Sequence, residues 1–382
     1  GLPLSEESRP ADIKSIDYDA VLLTHPHQDH FGLIHSVGHD TPVYLGKVSE
    51  ALIQATRMFL NDVPLENNFR HFEAWKPFSI GDIKVTPYFV DHSAADAYSF
   101  LLESDGKSVF YTGDFRAHGR KSILFENMLK NPPKNVDVML MEGTMIHRDN
   151  QEFPAEGAVE KRIFEVLQTQ ENISFLISSS QNIDRIVSAW KACRDTGKTF
   201  VVDIYTAWVL EQFREKSKGI PKMGWPRLKI LSLYNHNKIL NKNFEVFGPF
   251  RHAVYRNRIT MEEMKSSPTD YLMLARPSLI NIIEAFRSDK KTNIIYSQWK
   301  GYLDPERFSY WKEEKFASLQ HDPDYLFTYA HTSGHATVED LAKLARAVNP
   351  GKLIPVHTEY GSEYEGLFDN VKMLNDGMTM QV

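Results

Sequence analysis

Apolar and polar residues change their period several times along this chain, and the changes mark out its elements. Tyr18 to Thr24 is a short apolar run that predicts a buried strand, and Pro42 to Leu45 predicts another. Between Val48 and Leu60 the apolar positions shift to helical spacing, with Leu52, Ala55 and Met58 or Phe59 on one face. Ile83 to Val90 reads as a strand running into Asp91-His92. Tyr98 to Glu103 and Lys107 to Thr112 flank Asp105-Gly106, a hairpin signal. The second of these strands ends in Gly113-Asp114, and a further apolar strand, Val136 to Met141, ends at Glu142.

A different rhythm begins near Asn150. Helical stretches at Gly157 to Gln168 and Ile183 to Arg194 alternate with strands at Ser174 to Ser178 and Thr199 to Val202, and two more buried strands follow at Tyr271 to Ala275 and Asn293 to Ser297. Such alternation predicts a parallel sheet with helices on its faces. From Asp324 the first pattern returns. Tyr325 to Tyr329 is a strand leading into His331-Thr332-Ser333-Gly334-His335. Thr337 caps a helix with the stripe Val338, Leu341, Leu344, Ala345 and Val348, Gly351 ends it, and Lys352 to Val356 terminates in His357. The fold class is therefore α/β. One unit, expected at 150–323, is inserted between the two parts of another, 1–149 and 324–382. The sequence shows no internal repeat and no low-complexity segment.

Composition narrows this picture. A chain of 382 residues suits two or three domains, and no apolar run approaches the roughly 18 residues of a membrane helix. The first residues do not read as a signal peptide, and an opening Gly instead of Met implies that something was removed from the front. The single cysteine, Cys193, excludes an internal disulfide and a Cys-based zinc site, and fits a reducing, cytoplasmic location. The net charge of −6 argues mildly against nucleic acid. However, Glu211 to Lys265 carries twelve Lys and Arg against five Glu, a local basic stretch able to hold a phosphate backbone.

The chemistry concentrates in His25-Pro26-His27-Gln28-Asp29-His30-Phe31. Alternate side chains of an extended segment point the same way, so His25 and His27 can grip one cation. Asp29 and His30 come where the chain must turn and can face a second. That spacing is more than a His-rich surface loop requires, and it predicts a dinuclear metal site. His25, His92, Asp114, Glu142, His335 and His357 all follow apolar strands, where open sheets gather their chemistry.

This combination resembles the metallo-β-lactamase superfamily and, within it, the β-CASP nucleases. His25, His27, Asp29 and His30 match the superfamily's second motif, His92 the third and Asp114 the fourth. Glu142, His335 in Ser333-Gly334-His335-Ala336, and His357 in Pro355-Val356-His357 resemble the three β-CASP motifs. The resemblance implies an αββα sandwich with an inserted α/β β-CASP domain. It implies that His25, His27 and His92 hold one ion, that Asp29, His30 and His357 hold the other, and that Asp114 bridges them. Two Zn²⁺ fit five imidazoles and two carboxylates, with Mn²⁺ as the alternative. Asp29, His335 and Glu142 are the expected catalytic groups, His335 touching the scissile phosphate and Glu142 orienting it.

His357 points to RNA as the partner, because the DNA-repair branch has Val at that motif, and His331 to Ala336 looks most like ribonuclease J-type enzymes. Ser297, Ser333 and His331 match or neighbour positions that hold a substrate phosphate there, although Trp299-Lys300 stands where that group usually has Gly-Glu. The expectation is a metal-dependent ribonuclease, endonuclease or 5′ exonuclease. Its alternatives are a small-molecule metallohydrolase of lactonase or thioesterase type and a catalytically silent RNA-processing subunit. Two further stretches have paired readings. Ser178 to Asn182 reads as phosphate ligands or a helix cap, and Arg251, His252, Tyr255, Arg256 and Arg258 as a single-strand groove or a solvated basic loop. The superfamily's front strands and acidic motif have no room ahead of His25 and are expected to be missing. Ribonuclease J-type enzymes continue beyond this point into a dimerisation domain, so homo-oligomerisation is left open.

Overall fold

The structure is a computed structural model and describes residues 18–148, 152–308, 311–375 and 378–382. The expectation about the front strands falls partly on residues 1–17, outside the described residues. Along the chain the strands are β1 (Val21–Leu22), β2 (Pro42–Leu45), β3 (Asn68–His71), β4 (Phe78–Ile80), β5 (Ile83–Val90), β6 (Ala97–Ser104), β7 (Lys107–Tyr111) and β8 (Val138–Glu142). They continue as β9 (Ser174–Ile177), β10 (Thr199–Asp203), β11 (Leu228–Leu231), β12 (Arg258–Ile259), β13 (Tyr271–Ala275), β14 (Thr292–Tyr296), β15 (Tyr325–Tyr329) and β16 (Lys352–Val356). Two compact units result: residues 1–54, 64–150 and 333–382 form the first, and 55–63 and 151–332 the second.

In the first unit β1, β2 and β3 make a parallel sheet, and β16-β8-β7-β6-β5-β4 make a second, mixed one. Side chains alternate across each strand, and the clusters they form give the layer order. Leu22 and Tyr44 from the small sheet pack with Val85, Tyr98 and Phe100 from the large one, so the two sheets face each other. Behind the small sheet lie Phe31, Ile34 and Ile53, the last from the helix Lys47–Phe59. Behind the large sheet, Leu101, Phe110 and Met139 meet Phe125 and Met128 of the helix Ile123–Lys130 and Leu341 and Leu344 of the helix Val338–Val348. Helix, sheet, sheet and helix is the αββα order that the resemblance implies.

The direction of the strands matters most for the site. β7, β8 and β16 are mutually parallel, and β5 runs with them because two antiparallel pairings separate β5 from β7. The residues after β5, β7 and β16, together with the last residue of β8, therefore emerge at one edge. β6 runs the other way and contributes none.

The second unit is a parallel sheet in the order β12-β11-β10-β13-β9-β14-β15. All four residues of β9 are buried, as expected for a strand covered on both faces. β15 pairs with β14 here, so the chain re-enters the first unit at Ser333, later than the boundary at 324 expected from the sequence. The end of the helix Lys47–Phe59 also counts with this unit. Sequence reading passed over β3, β4, β11 and β12, which are two to four residues long and carry little apolar periodicity. It also misplaced one cap. Asn349, in the left-handed region at φ 50°, ends the helix Val338–Val348, ahead of Gly351. No helix among the described residues is long and apolar enough to cross a membrane.

Candidate metal centre

Each expected ligand reaches the site from a strand end or the turn beyond it. β1 delivers Thr24 and His25. His27 then precedes a single helical turn, Gln28–Phe31, which carries Asp29 and His30. After β5 comes His92, and after β7 the chain bends through Thr112 and Gly113 to Asp114. Gly113 has φ 54°, and a Cβ there would sit 2.8 Å from the Tyr98 carbonyl oxygen and 2.9 Å from Thr24, so only glycine fits. β8 ends in Glu142, and β16 leads to His357, whose φ of 51° is a conformation that few side chains accept.

These residues converge. His25, His27 and His92 offer one set of clustered donors, Asp29, His30 and His357 another, and His25, His30 and Asp114 a third between them. Asp114 is the hub. Its Oδ2 lies 3.1 Å from His30 Nε2, 3.7 Å from His25 Nε2 and 4.0 Å from His92 Nε2, while its Oδ1 is 3.7 Å from His357 Nδ1. The imidazoles of His25 and His30 are only 4.0 Å apart between centroids.

The donor chemistry fits bound cations. His25 Nε2 and Asp114 Oδ1 are buried with no hydrogen-bond partner among the described residues, and buried His30 Nε2 has the Asp114 carboxylate 3.1 Å away. Buried polar atoms normally have a partner, and leaving two without one in one small volume is costly. Burial and then the neighbouring imidazoles hold His25 and His92 well below the ordinary histidine value, and burial pushes His27 down to about 4. All three are neutral at pH 7, with lone pairs available. The outer partners set which nitrogen is offered. His92 Nδ1 donates to the Gly334 carbonyl at 2.6 Å, which leaves Nε2 facing Asp114. Thr24 Oγ1 engages His25 Nδ1 at 3.0 Å with the same result. On the other side, burial alone would lower His357, but Asp29, Asp114 and Glu142 raise it to about 9.

His335 and Glu142 sit against this cluster. His335 Nδ1 lies 3.0 Å from Glu142 Oε2 and 3.8 Å from Asp114 Oδ2. Burial would lower its pKa, and the Glu142 and Asp114 carboxylates more than offset that and raise it. Glu142 also accepts backbone N–H groups from Phe115, Thr144 and Ala336 at 3.2–3.3 Å. It is thus both a structural anchor and the partner of His335.

The expected substrate contacts are engaged within the protein. Ser297 is buried, its hydroxyl accepting from Arg185 and donating to the Ala330 carbonyl. Its own carbonyl oxygen is 3.2 Å from His331 Nδ1. Ser333 Oγ accepts from His335 N at 3.1 Å. Asn182 of the Ser178 to Asn182 stretch caps the helix Ile183–Thr196. His252, Tyr255, Arg256 and Arg258 are exposed, with Arg258 stacked 4.2 Å from the Tyr255 ring centroid.

Sequence reading missed the groups that hold the Ser333 to His335 segment. Arg116 Nη1 and His118 Nε2 both donate to the Ser333 carbonyl at 3.0 Å, and Arg116 is fully buried beside Asp91. Gly334 is required there, because a Cβ would lie 2.4 Å from Ser93 Oγ. The available signal was proximity, since Arg116 and His118 directly follow Asp114.

Comparison with known proteins gives the same picture. Residues 3–173 match the beta-lactamase superfamily domain, and residues 326–364 match the Zn-dependent metallo-hydrolase RNA specificity domain. The chain is 29% identical over 373 residues to ribonuclease J of Mycoplasma pneumoniae, covering 89% of this chain and 58% of that one. Ribonuclease J of Helicobacter pylori strain 26695 is 20% identical over 356 residues, 89% of this chain and 47% of that one. The transcription termination factor FttA of Methanothermobacter thermautotrophicus is 28% identical over 171 residues, 39% of this chain and 26% of that one. The chain thus spans about half the length, or less, of these relatives. A protein of unknown function from Enterococcus faecalis V583 shares the fold, with a TM-score of 0.72 at 20% identity over 94% of this chain and 80% of that one. The two domain matches, the ribonuclease J relatives and the strand-end geometry together support a metallo-β-lactamase fold of ribonuclease J-like β-CASP type.

Proposed function

We propose that this protein is a metal-dependent hydrolase that cuts phosphodiester bonds in RNA. The observation that carries this reading is the convergence of seven donors, His25, His27, Asp29, His30, His92, Asp114 and His357, beside the His335–Glu142 pair. The ribonuclease J relatives and the RNA specificity match support RNA as the substrate. His25, His27 and His92 would hold one ion and Asp29, His30 and His357 the other, with Asp114 shared between them. Two Zn²⁺ ions there would supply a water of lowered pKa and neutralise charge on a phosphoryl oxygen.

The protein's own residues do the rest. Glu142 accepts from His335 Nδ1–H, which fixes the ring and leaves Nε2 to carry the proton delivered to the leaving oxygen. The Glu142 carboxylate beside the ring favours its charged form against the cost of burial. Arg116 and His118 hold the backbone on which His335 is mounted.

The test is metal analysis joined to cleavage of 5′-phosphate RNA, 5′-triphosphate RNA and matched DNA. Two ions per chain and RNA-selective hydrolysis are expected, with His335→Ala slowing cleavage about 10²–10⁴-fold while keeping both ions. Active protein with fewer than two ions would sink the two-ion mechanism. Equal cleavage of DNA would remove the RNA assignment.

A further inference from the structure

Along one face of β15, between the turn that precedes it and the segment that follows β14, the second unit holds a cavity of about 360 Å³ lined by Lys300, Leu303, Asp304, Gln320, Phe327 and Tyr329. We propose that it receives a single nucleobase carrying an exocyclic amine, with Lys300 meeting the attached phosphate. Four observations specify this ligand.

The wall is aromatic and flat. Phe327 and Tyr329 are two positions apart on β15 and share one face of the strand. Both rings lie nearly parallel to Tyr296 of β14, at interplanar angles of 26° and 27°, so the wall is backed and held in orientation. A flat wall of this kind favours a flat ligand, and stacking on it is indifferent to which base is present. The size fits, since about 360 Å³ lies near the small end of ligand pockets and admits one base with part of its sugar.

The rim supplies the discrimination. Asp304 Oδ1 accepts from Glu306 N at 3.1 Å, and its other carboxylate oxygen has no partner among the described residues. Gln320 Nε2 donates to the Ala317 carbonyl at 3.1 Å, which leaves the amide oxygen as the atom to offer. Two acceptors call for two N–H hydrogens on the ligand's edge, which the exocyclic NH₂ of adenine, guanine or cytosine supplies together, whereas uracil offers the single N3–H and would leave one acceptor unmet. The charge is placed for a nucleotide. Lys300 Nζ rests over the Tyr329 ring, 4.1 Å from its centroid, so it has to swing off the ring toward the phosphate as a base stacks there. Arg307 is stacked 4.8 Å from the neighbouring Trp299 ring. Trp299-Lys300 is the pair that departs from the Gly-Glu usual in ribonuclease J-type enzymes, so the cation and its neighbouring indole are features of this chain.

The base can come from single-stranded RNA, an assignment that rests on the ribonuclease reading, or from a free mononucleotide, which does not. Binding of AMP and UMP to the full chain is measured by calorimetry, and binding of labelled oligo(A) and oligo(U) ten-mers by fluorescence anisotropy, all in EDTA so that nothing is cleaved. AMP is expected to bind about 5- to 150-fold more tightly than UMP. Tyr329→Ala should weaken AMP by a similar factor, while Tyr329→Phe, which keeps the ring, binds as the wild type. Lys300→Ala should weaken AMP and leave adenosine unchanged, and Asp304→Asn, which still caps Glu306, should narrow the AMP-to-UMP ratio. Parallel loss of oligo(A) binding in Tyr329→Ala supports the pocket with RNA as its source, and loss for AMP alone supports it with a mononucleotide. Equal affinity for AMP and UMP, or a folded Tyr329→Ala that binds AMP like the wild type, overturns the proposal. Cleavage by the metal-loaded protein is read separately. A protein that cuts RNA but binds neither nucleotide loses the pocket alone, and one that binds AMP but cuts nothing loses the ribonuclease reading alone.

Discussion

Both units of this protein gather buried polar groups at the carboxyl ends of strands, yet the carboxylates at the two places keep different company. In the first, His25 Nε2 and Asp114 Oδ1 are buried and lack hydrogen-bond partners among the described residues. In the second, the comparable carboxylate of Asp203, last residue of β10, is satisfied. It accepts from the backbone N–H and hydroxyl of Thr206 at 2.8 Å and pairs with Arg276, which also donates to Ser180. Arg185 and Glu156 behave likewise, both buried, with Arg185 also donating to the Ser297 carbonyl at 2.8 Å. Position at a strand end is shared, so position does not separate a ligand site from an internal fastening. What differs is how the charged groups are met. Asp203 and Glu156 each face a guanidinium, although His236 Nδ1 beside Asp203 lacks a hydrogen-bond partner among the described residues. Asp114 is instead ringed by imidazoles and, among the described residues, faces no Arg or Lys.

The sharpest way to break this distinction is Asp114→Ala. Loss of the hub should drop bound metal below the wild-type content and take RNA hydrolysis to background, read by metal analysis and a cleavage assay. Unchanged values for both would show that the unpaired atoms are incidental. Arg185→Met attacks the other side of the comparison. It strands Glu156 in the interior and should cost about 3–5 kcal/mol in chemical denaturation while the metal content stays constant.

Asp203→Asn keeps the acceptor for Thr206 but removes the charge, and should cost about 1.5–3 kcal/mol at pH 7. Burial raises the Asp203 pKa, and Arg276, His236 and Thr206 more than reverse this and hold it below the ordinary aspartate value. Its contribution is therefore complete above the unfolded pKa of about 3.9 and is lost as pH falls through the lower, folded value. The stability gap between wild type and variant should close below about pH 4, and a gap independent of pH would contradict the ion pair. The smallest effect is expected from Thr24→Val. It removes the partner of His25 Nδ1 and should weaken metal binding about tenfold, the low end for outer-shell changes, by competition with a chelator.

Much of this was readable in advance for physical reasons. A ligand set with strict spacing, such as His25 to His30, survives any uncertainty about element boundaries. His92, Asp114 and His357 were legible because strands five to eight residues long, each ending in an apolar run, have clear ends. Short strands such as β3 and β12 were not, since a few residues carry no period. Neither was the sheet to which β15 belongs. A strand's apolar run records that it is buried and is silent about its neighbour, and only the pairing with β14 shows where the second unit ends. The engagement of Ser297 with Arg185 and Ala330 was equally hidden, because a hydroxyl in a sequence does not disclose what it faces.

The span of the ligands, from His25 to His357, has a consequence for biosynthesis. At roughly 5–20 residues per second, about 15–70 s separate the synthesis of the first imidazole from that of the last. For nearly all of that interval a nascent chain carries His25, His27 and His30 but lacks His335 and His357, and its second unit is complete only once Thr332 has been added. A chain interrupted anywhere before His335 thus carries the first imidazoles of the cluster without the two groups that complete its far side.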